Sequence, residues 1–189
     1  MNEWQGLRID DETELRLVCE EDAEELFALV DANRKYLRPF LDWVDENTEQ
    51  THTLSFIKWT QDGFTREENI TTGIWYRDRI AGCLTVENMD RRHGHGELGY
   101  WLAEAHQGTG MMFKACSVFI DHLFSTVGLN RLMIRASVDN LKSRSFAKRL
   151  GFTQEGMQRE AYLLYGKYHD LAMYSLLSSE WRVTRSDDR

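Results

Sequence analysis

From Glu97 to Val138 the spacing of apolar residues changes from every second position to every third or fourth and back again. Leu98, Tyr100 and Leu102 fall on one side of an extended segment, with Glu97, Gly99 and Trp101 on the other. Thr109–Val127 then carries Met112, Ala115, Cys116, Phe119 and Leu123 at helical spacing. Arg131–Val138 returns to alternation through Leu132, Ile134, Ala136 and Val138. Strand, glycine-containing loop, long amphipathic helix and strand, in that order, constrain the chain to an α/β fold.

The flanking sequence agrees. Residues 14–19 alternate as a strand, and Glu21–Ala32 reads as a helix with Ala23, Leu26, Phe27 and Val30 on one face. Thr51–Phe64 reads as a second helix anchored by Leu54, Ile57 and Trp59. Thr71–Tyr76 and Ile80–Glu87 form a predicted hairpin about Arg77-Asp78-Arg79, followed by a polar loop at 91–96. Leu141–Leu150 is a short helix with Gly151 as its C-terminal cap, and Thr153–Arg159 and His169–Leu176 are two last β runs. A mixed α/β sheet follows, in one domain spanning 1–189 with its core at about 13–182, because 189 residues suit a single substantial core.

Composition narrows the function. A net charge of −8 argues against a duplex nucleic-acid binder. No apolar run approaches membrane-spanning length, and Met1-Asn2-Glu3-Trp4 lacks the order of a signal peptide, so a cytoplasmic protein is expected. Cys19, Cys83 and Cys116 are too widely spaced for a disulfide framework or a zinc pattern and read as small buried hydrophobes. His93 and His95 lack companion ligands and read as loop histidines, so no metal is expected. The charge is uneven. Residues 1–70 hold 7 basic and 18 acidic residues, a net −11, and the remainder 16 and 13, a net +3. Solvated helix faces account for the acidic part, as does attraction of a basic substrate.

Two segments carry the chemistry. In Tyr100-Trp101-Leu102-Ala103-Glu104-Ala105-His106-Gln107-Gly108-Thr109-Gly110-Met111-Met112, a strand ends in a glycine loop and a helix opens at once. Glycines let the backbone approach a ligand, and helix-start N–H groups favour an anion such as a pyrophosphate. A plain tight turn fits the same residues. The segment is neither a P-loop, lacking Lys-Ser or Lys-Thr, nor a dinucleotide fingerprint, lacking the third glycine. Further on, Asn140 stands between strand and helix, where it serves as a helix cap, and Ser143 shares its side. Lys142, Arg144, Lys148 and Arg149 form a basic cluster, suited to a solvated face or to further ligand phosphate.

Together these segments resemble the GNAT N-acetyltransferase superfamily. Gln107-Gly108-Thr109-Gly110-Met111 is similar to its Gln/Arg-x-x-Gly-x-Gly/Ala region in a shortened Gln-Gly-x-Gly form, and Asn140-x-x-Ser143 with Leu150-Gly151-Phe152 to its Asn-x-x-Ser…Leu-Gly-Phe region. Tyr36-Leu37-Arg38-Pro39-Phe40-Leu41-Asp42-Trp43-Val44, Glu97-Leu98-Gly99-Tyr100-Trp101-Leu102, Tyr168-His169-Asp170 and Tyr174-Ser175-Leu176-Leu177 resemble the branch that acetylates ribosomal-protein N-termini. The resemblance covers about residues 13–182.

The resemblance implies a mostly antiparallel mixed sheet, splayed at its centre between 97–102 and 131–138 and flanked by helices. It implies acetyl-CoA as cosubstrate, held by Trp101, Leu102, Ala103, Gln107, Gly108, Thr109, Gly110, Met111, Met112, Asn140 and Ser143. It implies an amine acceptor, most naturally a basic protein N-terminus, and a homo-oligomer. A small-molecule amine acceptor and a non-catalytic acyl-CoA sensor are the competing classes. Many relatives place a thiolate-protonating tyrosine where this chain has Ala147, so Ser143 becomes the candidate donor. Glu97 is the candidate base, directly or through water, and a strand carboxylate paired with an arginine explains it equally. Tyr165, His169 and Asp170 are placed at the acceptor cleft or in the buried sheet.

Overall fold

The computed structural model describes residues 4–181. The reading of Met1-Asn2-Glu3 and the end of the core at Arg182 lie outside the described residues. The strands are β1 (Leu7–Arg8), β2 (Thr13–Leu17), β3 (Ile70–Tyr76), β4 (Arg79–Asp90), β5 (His95–Leu102), β6 (Arg131–Ser137), β7 (Thr153–Leu164) and β8 (Lys167–Leu177). The helices are α1 (Ala23–Leu37), α2 (Gln50–Thr65), α3 (Met111–Ser125) and α4 (Leu141–Arg149). In hydrogen-bonded order the sheet runs β1-β2-β3-β4-β5-β6-β8-β7. β5 and β6 are parallel, which requires a crossover, and α3 supplies it. Contacts divide the chain into two units, 1–87 with 99–119 and 88–98 with 120–189.

In the first unit, β3 and β4 close through Arg77 and Asp78, whose φ angles of 49° and 60° are those of a hairpin turn that matches strand twist. The turn is therefore two residues long, and the predicted third, Arg79, already pairs with Tyr76 in β4. α1 runs past its predicted end at Ala32 because Leu37 continues the buried face of Ala23, Leu26 and Val30. Pro39 stops it two residues later because it has no N–H to continue the ladder; Arg38 before it is still helical, at φ −50° and ψ −36°. α2 buries Thr53, Ile57, Thr60 and Gly63 along one line. Trp59, expected as an anchor there, is 49% exposed and stacks on exposed Phe56. At 100° per residue it lies about 200° around the helix from Ile57, on the far side. Val18, Ala23, Leu26, Ile57, Trp75, Ile80 and Cys83 form one buried cluster.

In the second unit, β6 buries Leu132, Ile134 and Ala136 and pairs along its whole length with β8. β7 and β8 form a hairpin closed by Tyr165 and Gly166, both at positive φ. β7 thus reaches Leu164, well beyond the predicted Arg159. α4 buries Ala147 and ends on Gly151, whose φ of 90° and the bond from the Phe152 N–H to the Ala147 carbonyl form the expected glycine cap. The parallel ladder comprises His95↔Arg131, Gly96↔Leu132 and Glu97↔Met133, while β5 continues to Leu102 and β6 to Ser137.

Candidate active site

β5 delivers the chain through a single 3-10 turn, Glu104–His106, to the start of α3. Three bonds set the loop. The Gln107 amide donates to the Leu102 carbonyl at 3.0 Å, the Thr109 hydroxyl donates to the His106 carbonyl at 2.8 Å, and the Met111 N–H donates back to the Thr109 hydroxyl at 3.3 Å. Gly108 and Gly110 sit at φ 77° and 81°, a region other residues enter only with strain. A Cβ built on either would meet nothing within 4 Å. The bare backbone of this exposed loop therefore faces space a ligand could fill. The first intrahelical bond joins the Lys114 N–H to the Gly110 carbonyl at 3.1 Å, so the N–H groups ahead of it have no carbonyl of their own helix. That set of donors fits a diphosphate.

The three residues expected to hold the rest of the cosubstrate are more deeply committed. Leu102 and Ala103 are buried. The Leu102 carbonyl takes the Gln107 amide, and the Ala103 N–H donates to the Ala81 carbonyl at 2.8 Å. Trp101 is half-buried against the α1–α2 cluster and 6.2 Å from the Trp43 ring. Gly82 makes this possible. A Cβ on it would lie 2.3 Å from the Trp101 carbonyl oxygen and 2.8 Å from Leu102 Cα. Gly82 escaped the sequence reading, although a glycine inside a strand signals such an approach. Met111 is buried and Met112 half-buried.

In the second unit, the Ser143 N–H donates to Asn140 Oδ1 at 3.0 Å, so Asn140 is the N-terminal cap of α4 and holds Ser143 at the first turn. Arg144 is withdrawn from the basic cluster, donating to the Tyr174 hydroxyl at 3.2 Å and the Val138 carbonyl at 2.9 Å. Lys142, Lys148 and Arg149 remain exposed. Glu97 Oε1 accepts from Arg135 Nε at 2.6 Å, the arginine-paired arrangement. Tyr165 lies in the β7–β8 turn, 48% exposed. Asp170 Oδ1 accepts the Glu160 N–H at 2.8 Å and fixes the bulge of β7 between Gln158 and Tyr162. His169 Nδ1 is 3.3 Å from Asp139 Oδ2. Sequence reasoning missed that pair, whose members are thirty residues apart.

His95 belongs to β5 rather than to the loop, and among the described residues no group of three or more His, Cys, Asp or Glu is gathered for a metal. Burial pushes the Cys19 and Cys83 thiols up to about 12, which makes them inert rather than nucleophilic. Many carboxylates of residues 1–70 are paired, among them Glu20 with Lys58, Glu25 with Arg79 and Asp45 with Arg38. These pairs lie on solvated faces, while residues 1–70 as a whole keep an excess of 11 acidic residues over basic ones.

The family profile of the acetyltransferase (GNAT) domain matches residues 13–153. A Bacillus subtilis (strain 168) protein, named provisionally as the ribosomal N-acetyltransferase YdaF, is 31% identical over 92% of this chain and 96% of its own. The structure of RimL, a ribosomal L7/L12 α-N-protein acetyltransferase in complex with coenzyme A, superposes with a TM-score of 0.88 at 29% identity, covering 92% of this chain and 98% of that one. The microcin C7 self-immunity acetyltransferase MccE, in complex with acetyl-CoA and AMP, gives 0.87 at 29% identity over 91% and 96%. With its glycine loop opening a helix between parallel strands, and with these matches over most of its length, the chain belongs to the acetyltransferase (GNAT) family.

Proposed function

We propose that this chain transfers the acetyl group of acetyl-CoA to the N-terminal α-amine of a ribosomal or other basic protein. The start of α3 carries the cosubstrate half of the reading. Gly108 and Gly110 hold the backbone in a conformation that other residues enter only with strain, with nothing above them, ahead of N–H groups that suit a diphosphate. Gln107 and Thr109 fix that loop from either side. Trp101 and Leu102 at the end of β5, and Ala103 after it, support it, and in the second unit Asn140 sets the first turn of α4, where Ser143 is the candidate proton donor to the thiolate. Bound acetyl-CoA supplies an activated acyl group.

The acceptor half rests on likeness to proteins named for ribosomal acetylation and on the cost of making an amine nucleophilic. At pH 7 an α-amine with pKa ~7.8 costs about 1 kcal/mol to deprotonate, against about 4.6 for a lysine with pKa ~10.4. An N-terminus therefore needs only a modest base. The same reading places the protein in the cytoplasm as one domain over 1–189, and a homo-oligomer belongs to it, supported by the exposed Phe56–Trp59 stack. The competing acceptor is a small antibiotic-like amine, favoured by the equally close superposition of MccE.

Mass spectrometry after incubation with acetyl-CoA tests the assignment, using ribosomal-protein N-terminal peptides, N-blocked lysine peptides, polyamines and antibiotic amines. The expected product is the α-N-acetyl peptide. Acetylation confined to lysines or small amines would reject the acceptor, and CoA binding without turnover on any amine would reject the enzyme.

A further inference from the structure

Within the second unit, the β6–β8 register sorts side chains onto two faces of the sheet. Tyr174 lies on the face that carries α4, because its hydroxyl accepts from Arg144. Cross-strand partners share a face, so Arg135 with Met173 and Ser137 with Leu171 lie on the opposite one. Glu97 joins them through Arg135, and His169, two residues before Leu171 on β8, falls on the same side. Glu97 has its Oε1 occupied by an arginine. His169 is placed differently. Its side chain is 16% exposed and its Nδ1 lies 3.3 Å from Asp139 Oδ2. A carboxylate has only lone pairs to offer, so Nδ1 carries the hydrogen and the neutral ring presents the lone pair of Nε2. Asp139, 67% exposed in the turn after β6, thereby favours that tautomer of the less exposed His169 on β8.

The local chain ties this pair to the α4 start. Asp139 directly precedes Asn140, whose side chain caps the Ser143 N–H. The other groups around His169 are accounted for. Asp170 is the next residue and is engaged with the Glu160 N–H, Tyr162 pairs with His169 across the ladder, and Arg159 and Glu160 lie in the β7 bulge.

We propose that His169 is the base that removes a proton from the acceptor amine, with Asp139 as its positioning residue. The proposal rests on the acetyl transfer to an amine put forward above. One N–H bond of the acceptor ammonium breaks, its electron pair stays on nitrogen, and the proton goes to Nε2. As the amide bond forms, the second proton leaves nitrogen and goes to the departing sulfur. One proton per turnover thus passes from His169 to solvent.

The test compares wild type with His169→Gln, His169→Asn and Asp139→Asn, on two acceptor peptides whose α-amines differ in pKa. In wild type, kcat/KM should show an acid limb that does not move with the acceptor. In His169→Gln that limb should vanish and kcat should fall about a hundredfold, with CoA affinity by calorimetry unchanged. Asp139→Asn should cost less, and imidazole ¹⁵N shifts of the free protein should show neutral His169 losing its Nδ1–H tautomer. A His169→Gln enzyme with wild-type turnover and the same limb would overturn this proposal alone. A wild type that acetylates no amine would overturn the acetyl-transfer reading beneath it.

Discussion

α3 and α4 each follow a strand, α4 closely and α3 after a 3-10 turn and a glycine loop, and they treat their first N–H groups differently. At α4 the side chain of Asn140 accepts the Ser143 N–H at 3.0 Å, so a side chain inside the chain's own turn takes that donor. At α3 two glycines at positive φ carry the backbone in with no side chain above it, and Thr109 serves only the Met111 N–H. The same helix-terminus physics gives a structural cap in one place and an anion site in the other. A strand–loop–helix sequence is therefore not a site by itself, and what decides is whether a side chain has already taken the donors.

Variants sharpen this contrast. The largest effect is expected at Gly82, on which the end of β5 leans. Gly82→Val puts a Cβ 2.3 Å from the Trp101 carbonyl oxygen, where backbone must move, and should cost about 3 kcal/mol or more in denaturant unfolding. Gly110→Val meets no clash but forces a β-branched residue to φ 81°. Strain of roughly 1–2 kcal/mol should raise the CoA Kd by about tenfold in calorimetry. Asn140→Ala should act chiefly on stability, by about 1 kcal/mol, and Asn140→Asp should restore it because aspartate also caps. A tenfold CoA defect in Asn140→Asp would erase the distinction between the two helix starts.

The smallest expected effect is acid sensitivity of the second unit. The Arg131 guanidinium, and then Ser175, hold the Glu155 carboxyl at about 2, below its ordinary 4.5. A depressed carboxylate contributes stability that is present above pH 4.5 and is lost as pH falls toward 2. Arg131→Ala should flatten the loss over that window in acid unfolding monitored by circular dichroism. The change should be modest because the Glu155 side chain is 42% exposed.

Legibility followed the range of the interactions. β5 and β6 were readable because alternation is local, β3 and β4 because two β runs flank a short polar turn, and the Gly151 cap because a glycine follows the last helical residues. β7 was only half readable, since its exposed residues alternate against nothing and its length is set by pairing with β8. The insertion of β8 between β6 and β7 is likewise a matter of long-range pairing. In the site, the glycine loop was legible because the residue type itself permits the conformation. The partners of Glu97 and His169 were not, being 38 and 30 residues away. Trp59 misled because hydrophobicity was read without the helix angle.

Hydrogen exchange with and without CoA tests the difference between the two helix starts most directly. On adding CoA, the amides of Gly108 through Phe113 should slow markedly, while those of Ser143, already served by the Asn140 cap, and Arg144, bonded to the Asn140 carbonyl, should change little. Protection that appears at the start of α4 and leaves the start of α3 unchanged would contradict the assignment of the α3 loop as the diphosphate site.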